Sequence, residues 1–535
     1  VNRLFKYIMQ PLLVVKFMSK QVLYDFRDEF SIPQALGKVN GTRCSHRGTR
    51  TVVDTGSKLS ISSGKLTFAS GATVAKWNDP GLSIDSITRT AGLLLKASVN
   101  TSTADKRFLT GFNNNPTADA IASYKASIYF RGDDTTLNVY SNIIRVPVSV
   151  YSADTDYPIL IALRGAGAFY FVKLSGIWKL LWIDNSENTA TLYPMISSST
   201  STLTSDYLRI PSERWLPIPL VSDGMSNASV SDGLGHLEQT GLGSGGSGLS
   251  YTDDGTWSVA AGKAVNTPTE GSDLITNGTF DADSDWTKTS GNVTIAGGVA
   301  VFTNVSASSD GIYQACTTAG TYYKVTYDIT NWAGTGFAKM RYPNYGQSRN
   351  GNGSYLDVVR SSFGRFQFQW DAGGVLTFNL DNVVVKPLTL SSLFSSLSLS
   401  TQDVVASADL TVVAGTQAGM VICLDSAANP QNFLHPYHNG TNAILEKCVA
   451  GTYTTLISAA ATYAANAPIV VHKDGTKVRL YYNNALIGTE QTVSDAGIIN
   501  NKLHGKFSTY VGNTIDNLHI EARGNQGQYA NIDRW

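Results

Sequence analysis

Trp257-Ser258-Val259-Ala260-Ala261-Gly262-Lys263-Ala264 decides the fold. Apolar residues flank a turn of small residues, and glycine supplies the positive φ that a tight β-hairpin needs. The layout recurs at Leu59-Ser60-Ile61-Ser62-Ser63-Gly64-Lys65-Leu66 and at Val293-Thr294-Ile295-Ala296-Gly297-Gly298-Val299-Ala300. Between these hairpins short alternating runs dominate: Ser127 to Arg131, Ile159 to Leu163, Phe169 to Lys173, Tyr323 to Ile329, Val375 to Leu380, Val383 to Lys386, Lys477 to Tyr482 and Leu518 to Glu521. Period-two patterns of this length, separated by Gly, Asn and Asp, read as half-buried antiparallel strands. Long amphipathic helical patterns are scarce. The expected class is therefore all-β: several antiparallel β-sandwiches, rather than a parallel α/β sheet.

A second recurring signal marks domain ends: Asp206-Tyr207-Leu208-Arg209-Ile210, Asp381-Asn382-Val383-Val384-Val385 and Asp516-Asn517-Leu518-His519-Ile520. The hairpin near 60 is closed by the ending near 210. The hairpin near 260, in contrast, is followed at once by a fresh opening at Leu274, a hairpin near 295 and an ending near 385. The third ending then closes a domain that opened before 260. This order predicts an extension over 1–21, a sandwich over 22–215, a discontinuous second sandwich over 220–273 plus 388–523, an inserted module over 274–386 and a tail over 524–535. Two independent half-domains on either side of 274–386 are the competing reading.

The module opens with Leu274-Ile275-Thr276-Asn277-Gly278-Thr279-Phe280-Asp281, followed by Trp286, and closes with Leu380-Asp381-Asn382-Val383. It resembles carbohydrate-binding modules of the galactose-binding-like jelly-roll type. The outer regions, through Val471 to Gly488 and Ile159 to Trp182, resemble concanavalin-A-like or laminin-G-like sandwiches. The whole combination, with Ser231-Asp232-Gly233-Leu234-Gly235-His236 and the glycine-rich 241–248, is similar in style to bacteriophage tail or appendage proteins. That resemblance implies a virion-surface adhesion protein with other virion proteins as partners; a secreted bacterial carbohydrate-binding protein or adhesin is the alternative. It further implies glycan binding, homo-oligomeric display and a structural calcium ion near the joined first and last strands of the module, where Asp281 and Asp381 occupy the matching ends.

Composition narrows the classes. The 535 residues suggest three to four domains, and Lys plus Arg equals Asp plus Glu at 41 each, so the basic footprint of nucleic-acid binding is missing. No apolar run approaches the ~20 residues that span a bilayer, so membrane insertion is not expected. Near the start, Arg3 and Lys6 precede an apolar run from Leu12 to Val15, but Gln10 and Pro11 interrupt it. Residues 1–17 thus read as an extension ahead of Met18 rather than a signal peptide. Cys44, Cys316, Cys423 and Cys448 show no CxxC spacing, and Cys423 and Cys448 read as buried thiols rather than a bridge.

Catalytic patterns are lacking. A glycosidase needs two carboxylates across the scissile bond, and no closely spaced E-x-D-x-E pattern occurs; acids sit in turns such as Asp133-Asp134 and Asp253-Asp254. Neither a G-x-S-x-G elbow nor an H-E-x-x-H helix is present, and 241–248 lacks the lysine of a phosphate loop. His435 and His438, around Pro436, read as two exposed turn histidines rather than metal ligands. The expectation is a non-enzymatic protein. Sugar binding needs flat aromatic faces and polar side chains for hydroxyls. Trp332, Tyr342 and Tyr345, with Arg341, Asn344 and Gln347, lie in a Gly- and Asn-rich stretch that reads as loops. They are the candidate glycan site, with packing over the sandwich end as the competing reading. Trp286 and Trp370 read as core.

Overall fold

The computed structural model describes residues 24–43, most of 50–211, short pieces at 229–232 and 239–240, and 251–523 apart from 343–345 and 400. Cys44, Asn344, Tyr345, the glycine-rich 241–248, the extension 1–21 and the tail 524–535 lie outside the described residues. The chain is all-β, with antiparallel pairing throughout. It divides into two compact units, Val1–Ser226 with Ala522–Trp535, and Asn227–Glu521. Among the described residues no helix is long and apolar enough to cross a membrane.

All three hairpins form, each with a two-residue turn whose central residues both have positive φ: Ser63 and Gly64 at 50° and 75°, Ala261 and Gly262 at 51° and 76°, Gly297 and Gly298 at 64° and 76°. This turn matches the right-handed twist of the strands it joins. The closing signals form too: the register shifts at Asp206 in the first and beside Asn382 in the second, and the second and third place an asparagine in the left-handed region. Asn382 and Asn517 adopt φ of 51° and 48°. Each donates its backbone N–H to the preceding aspartate, Asp381 at 2.7 Å and Asp516 at 2.8 Å. Each side-chain amide then reaches an aspartate on another strand, Asp328 or Asp409, at 2.8 Å or less. Asparagine tolerates the left-handed region, and the bulge beside Asn382 re-aims the strand. For this reason Val375 to Leu380 and Val383 to Lys386 belong to one bulged strand, Leu376–Leu388, rather than two.

In the first unit, one sheet runs Ile177–Asp184, Gly167–Leu174, Thr155–Arg164, Leu94–Thr101, Thr204–Pro211, Lys65–Phe68, Leu59–Ser62, with Tyr24–Asp28 also on Thr204–Pro211. The other runs Thr73–Lys76, Tyr193–Ser198, Arg107–Asn113, Tyr124–Arg131, Thr136–Ser141, Ile144–Val150. Aromatic rings bridge the two sheets: Phe68 meets Phe108 edge-on at 5.8 Å and Phe130 lies tilted against Tyr157 at 5.7 Å.

The second unit repeats this strand order. Its larger sheet runs Ala485–Thr492, Lys477–Tyr482, Ala467–Asp474, Val404–Thr411, Thr514–Ala522, Lys263–Asn266, Trp257–Ala260, with Gln239–Thr240 beyond and Ser229–Asp232 on Thr514–Ala522. Ala264 pairs with Ile515. The facing sheet runs Phe394–Ser398, Leu503–Ser508, Ala418–Leu424, Phe433–His438, Asn442–Val449, Thr452–Ala460. The core between the two holds Trp257, Leu410, Met420, Leu434, Leu445, Val471 and Leu518. In the first unit the hairpin strand ending at Phe68 is followed by the strand beginning at Thr73. In the second, the hairpin strand ending at Asn266 is followed by two further sheets before Phe394. One is Thr287–Lys288, Gly311–Gln314, Phe366–Ala372, Phe337–Tyr342; the other is Val293–Ala296, Val299–Val305, Leu376–Leu388, Tyr322–Gly334, Gly353–Arg360. Among the described residues each of these two sheets is laddered within itself, with a further bridge from Leu388 to Glu270, and the two share a separate core, including Phe302, Phe368, Phe378 and Trp286.

Candidate functional site

Strand alternation gives the six-stranded sheet of the second unit two unlike faces. Leu434, Ala443 and Leu445 face the sandwich core, whereas Phe433, Tyr437, Ile444 and Cys448 join Tyr322, Val358 and Leu388 in a second apolar cluster. The strands of 274–386 thus lie over the outer face of this sheet. Backbone bonds fasten the seam: the Val358 N–H donates to Gly415 O at 2.7 Å, and Gln417 Nε2 donates to Val358 O at 2.8 Å. Gly415 has φ of 83°, and a Cβ there would come within 2.5 Å of Leu356 O. Only glycine permits so close an approach of the two backbones.

At the edge of the seam a cavity of about 270 Å3 opens. Its floor comes from cross-strand neighbours. Tyr322 is opposite Arg360 on the overlying strands, and Glu446 lies between His435 and Thr455 on the sheet. The Arg360 guanidinium grips Glu446 with two bonds, 2.6 and 3.0 Å, and one of its faces lies 3.7 Å from the centre of the Tyr453 ring. Thr455 Oγ1 donates to Glu446 at 2.9 Å, and the Tyr437 hydroxyl also bonds it. Burial alone would push the Glu446 carboxyl up, but the bonds and charge of Arg360 hold it below its ordinary value. It is an ionised, saturated acceptor.

The rim is polar and neutral: Gln417, Asn439, Asn442 and Ser458. Asn439 Oδ1 is occupied by Thr441 and the Asn442 N–H, shaping the turn between Phe433–His438 and Asn442–Val449. Gln417 Oε1 is buried and accepts no hydrogen bond. Beneath, His435 is fully buried against Tyr437, at 4.3 Å, and Phe507, at 3.8 Å, with neither ring nitrogen bonded. Burial pushes its pKa down to about 3, so the ring is neutral.

Several expectations are corrected. His435 and His438 are not turn residues but lie on Phe433–His438, both buried, because Pro436 sits in the strand rather than in a turn. An odd spacing on a strand sends them to opposite faces, His435 to the seam and His438 to Tyr463 and Tyr482. Trp332 is in the strand Tyr322–Gly334 rather than a loop, half-buried, with one ring face stacked on Phe378 at 5.4 Å. Arg341 and Tyr342 end the strand Phe337–Tyr342 of the other sheet, and Arg341 donates to Gln369 at 3.4 Å. Among the described members of the predicted set, Gln347 is the one near the seam. It lines a neighbouring cavity of about 40 Å3 with Gln417 and Asn439, and its N–H donates to Asp357. The described members of the predicted set are thus distributed over two sheets and the seam.

Asp281 and Asp381, the expected calcium ligands, each make a local hydrogen bond. Asp381 accepts from the Asn382 N–H as Asp516 does from the Asn517 N–H, and exposed Asp281 accepts from Thr279 at 2.7 Å. Among the described residues no group of three or more His, Cys, Asp or Glu gathers. Cys316, Cys423 and Cys448 are free thiols, the last two buried.

No family model matches the chain, and no curated protein matches it. Parts of it are similar to solved structures. A sialidase shares 10% identity over 29% of this chain, at a TM-score of 0.22, and the chain covers 16% of that protein's length. The carbohydrate recognition domain of Emp47p shares 8% over 34% of this chain and 95% of its own, TM-score 0.25. The exoplasmic/lumenal domain of VIP36, in a Ca2+/Man-bound form, shares 7% over 29% of this chain and 80% of its own, TM-score 0.24. Likenesses this weak decide nothing about what the chain binds.

Proposed function

We propose that the second unit binds carbohydrate, without hydrolysing it, in the cavity on the outer face of its six-stranded sheet. The observation that carries this reading is the lining. Two tyrosines, Tyr322 and Tyr437, line the cavity together with the amide and hydroxyl side chains of Gln417, Asn439, Asn442, Thr455 and Ser458. Hydroxyl-rich ligands are recognised by such a mix of apolar surface and placed polar groups. Among the described lining residues Glu446 is the only carboxylate, and Arg360 keeps it ionised, so it is no general acid; the acid pair of a glycosidase has no counterpart there. Each site exchanges water hydrogen bonds for sugar ones and is therefore weak. Adhesion then rests on multivalent display at a cell surface or, in the narrower reading, on a virion, where linkage raises avidity by about 10² to 10⁴.

The test is a glycan array and calorimetry on the full chain, with Gln417→Leu and Asn442→Ala as site variants and Trp332→Ala as comparator. The site variants should weaken binding by about tenfold each, a loss of ~1.4 kcal/mol. No reducing sugar should appear. Full binding by both site variants with loss in Trp332→Ala would move the site to the Trp332 region, and hydrolysis would overturn the non-enzymatic reading.

A further inference from the structure

We infer that this cavity selects uncharged sugars, and that Glu446 is the residue that turns acidic ones away. The inference rests on the carbohydrate reading above and goes on to the class of ligand. Among the described lining residues, Arg360 is the only cation and Glu446 the only anion. Their twin bonds close the pair on itself, so the cavity carries no net charge. A guanidinium is the usual receptor for a sugar carboxylate, because its fork matches the two oxygens. Here the fork is taken by Glu446, and Tyr453 covers one face of the guanidinium plane.

The rest of the described lining is neutral, amide, hydroxyl and apolar, and offers no second cation to a carboxylate. An acidic sugar would therefore lose its hydration beside an ionised Glu446 without gaining a cation, which is the costly way to bury a charge. A neutral sugar meets no such cost. Glu446 is a specificity residue because it engages the charge of Arg360 inside the protein.

The experiment uses the full chain on an array holding neutral oligosaccharides, ending in glucose, galactose or mannose, beside acidic ones ending in glucuronate, galacturonate or sialic acid. Wild type should bind within the neutral panel alone. Glu446→Gln preserves shape and frees the guanidinium charge, so acidic signals should rise about tenfold over wild type. Should that variant fail to fold, Gln417→Lys leaves the ion pair intact, adds a cation to the lining, and should give the same gain. Acidic glycans bound by wild type would overturn the selectivity while leaving the carbohydrate reading in place. A folded variant with no acidic gain would do the same. Wild type silent on both panels would overturn the carbohydrate reading itself.

Discussion

Both units lead a tight hairpin, through Ser63-Gly64 or Ala261-Gly262, into a closing strand, Thr204–Pro211 or Thr514–Ala522, and both back the larger sheet with a six-stranded one in the same order. They differ in the chain just beyond the hairpin. The first passes from Phe68 to Thr73, and among the described residues of its six-stranded sheet the buried polar side chains, such as Ser127 and Asn138, are uncharged. In the second, two further sheets follow the hairpin, and the outer face of the six-stranded sheet buries Glu446 and His435 under them. A buried carboxylate is tolerable only with partners, and Arg360 and Tyr322 come from the strands of 274–386. The difference teaches that a covering layer of strands lets one face of a repeated sandwich carry a buried charge.

The largest expected break is Arg360→Ala. It strands Glu446, 4% exposed, with one hydroxyl bond from Thr455 and one from Tyr437. Loss of one partner of a buried pair costs about 3–5 kcal/mol. Chemical denaturation should show that loss. The double variant Arg360→Met, Glu446→Met should regain most of it, since an apolar pair of similar size suits a seam already lined by Val358, Phe433 and Ile444. A double variant as unstable as the single one would mean that the ion pair is not what Arg360 supplies.

Next comes acid. His435 and His504 are fully buried, and burial pushes their pKa values down to about 3 and about 4 from 6.5. The unfolded chain takes up these protons below pH 6.5 while the folded chain does not. Stability from these groups is therefore complete above 6.5 and falls as pH drops towards the folded values. Between pH 7 and pH 5 each histidine should cost about 2 kcal/mol. His435→Phe keeps a ring against Tyr437 and Phe507 and should remove its share, read as a smaller drop in melting temperature across that interval. An unchanged drop would show that His435 takes no part.

These comparisons also show what was legible in the sequence. The three hairpins were, because a turn with two positive φ values needs small residues whatever surrounds it. The closing signals were readable from the aspartate that opens each, followed by asparagine in two, although the hydrogen bond from that asparagine's N–H to the aspartate was not. The site was not legible. Asn442, Ile444 and Glu446 alternate with Ala443 and Leu445, and that period-two mix of polar and apolar residues was the available signal. It shows that one face is mixed. It cannot show that Tyr322 and Arg360, from strands more than 80 residues away in sequence, cover that face. Aromatics near glycine drew attention instead to Trp332, which a strand carries onto Phe378.

The smallest effect concerns Thr455, whose hydroxyl donates to Glu446 at 2.9 Å across the strand pair. Thr455→Val keeps the branched shape favoured in strands and removes one donor. Glu446 retains both Arg360 bonds and the Tyr437 hydroxyl, so no charge is stranded. One hydrogen bond to a charged acceptor is then lost at a site open to the cavity, for about 1–2 kcal/mol. If Arg360 holds the carboxylate, this variant folds, keeps its neutral-sugar binding to within a few-fold, and melts only slightly below wild type. A loss as large as that of Arg360→Ala would assign the anchoring of Glu446 to the sheet itself. The contrast between the two sandwiches would then lie in their own strands rather than in 274–386.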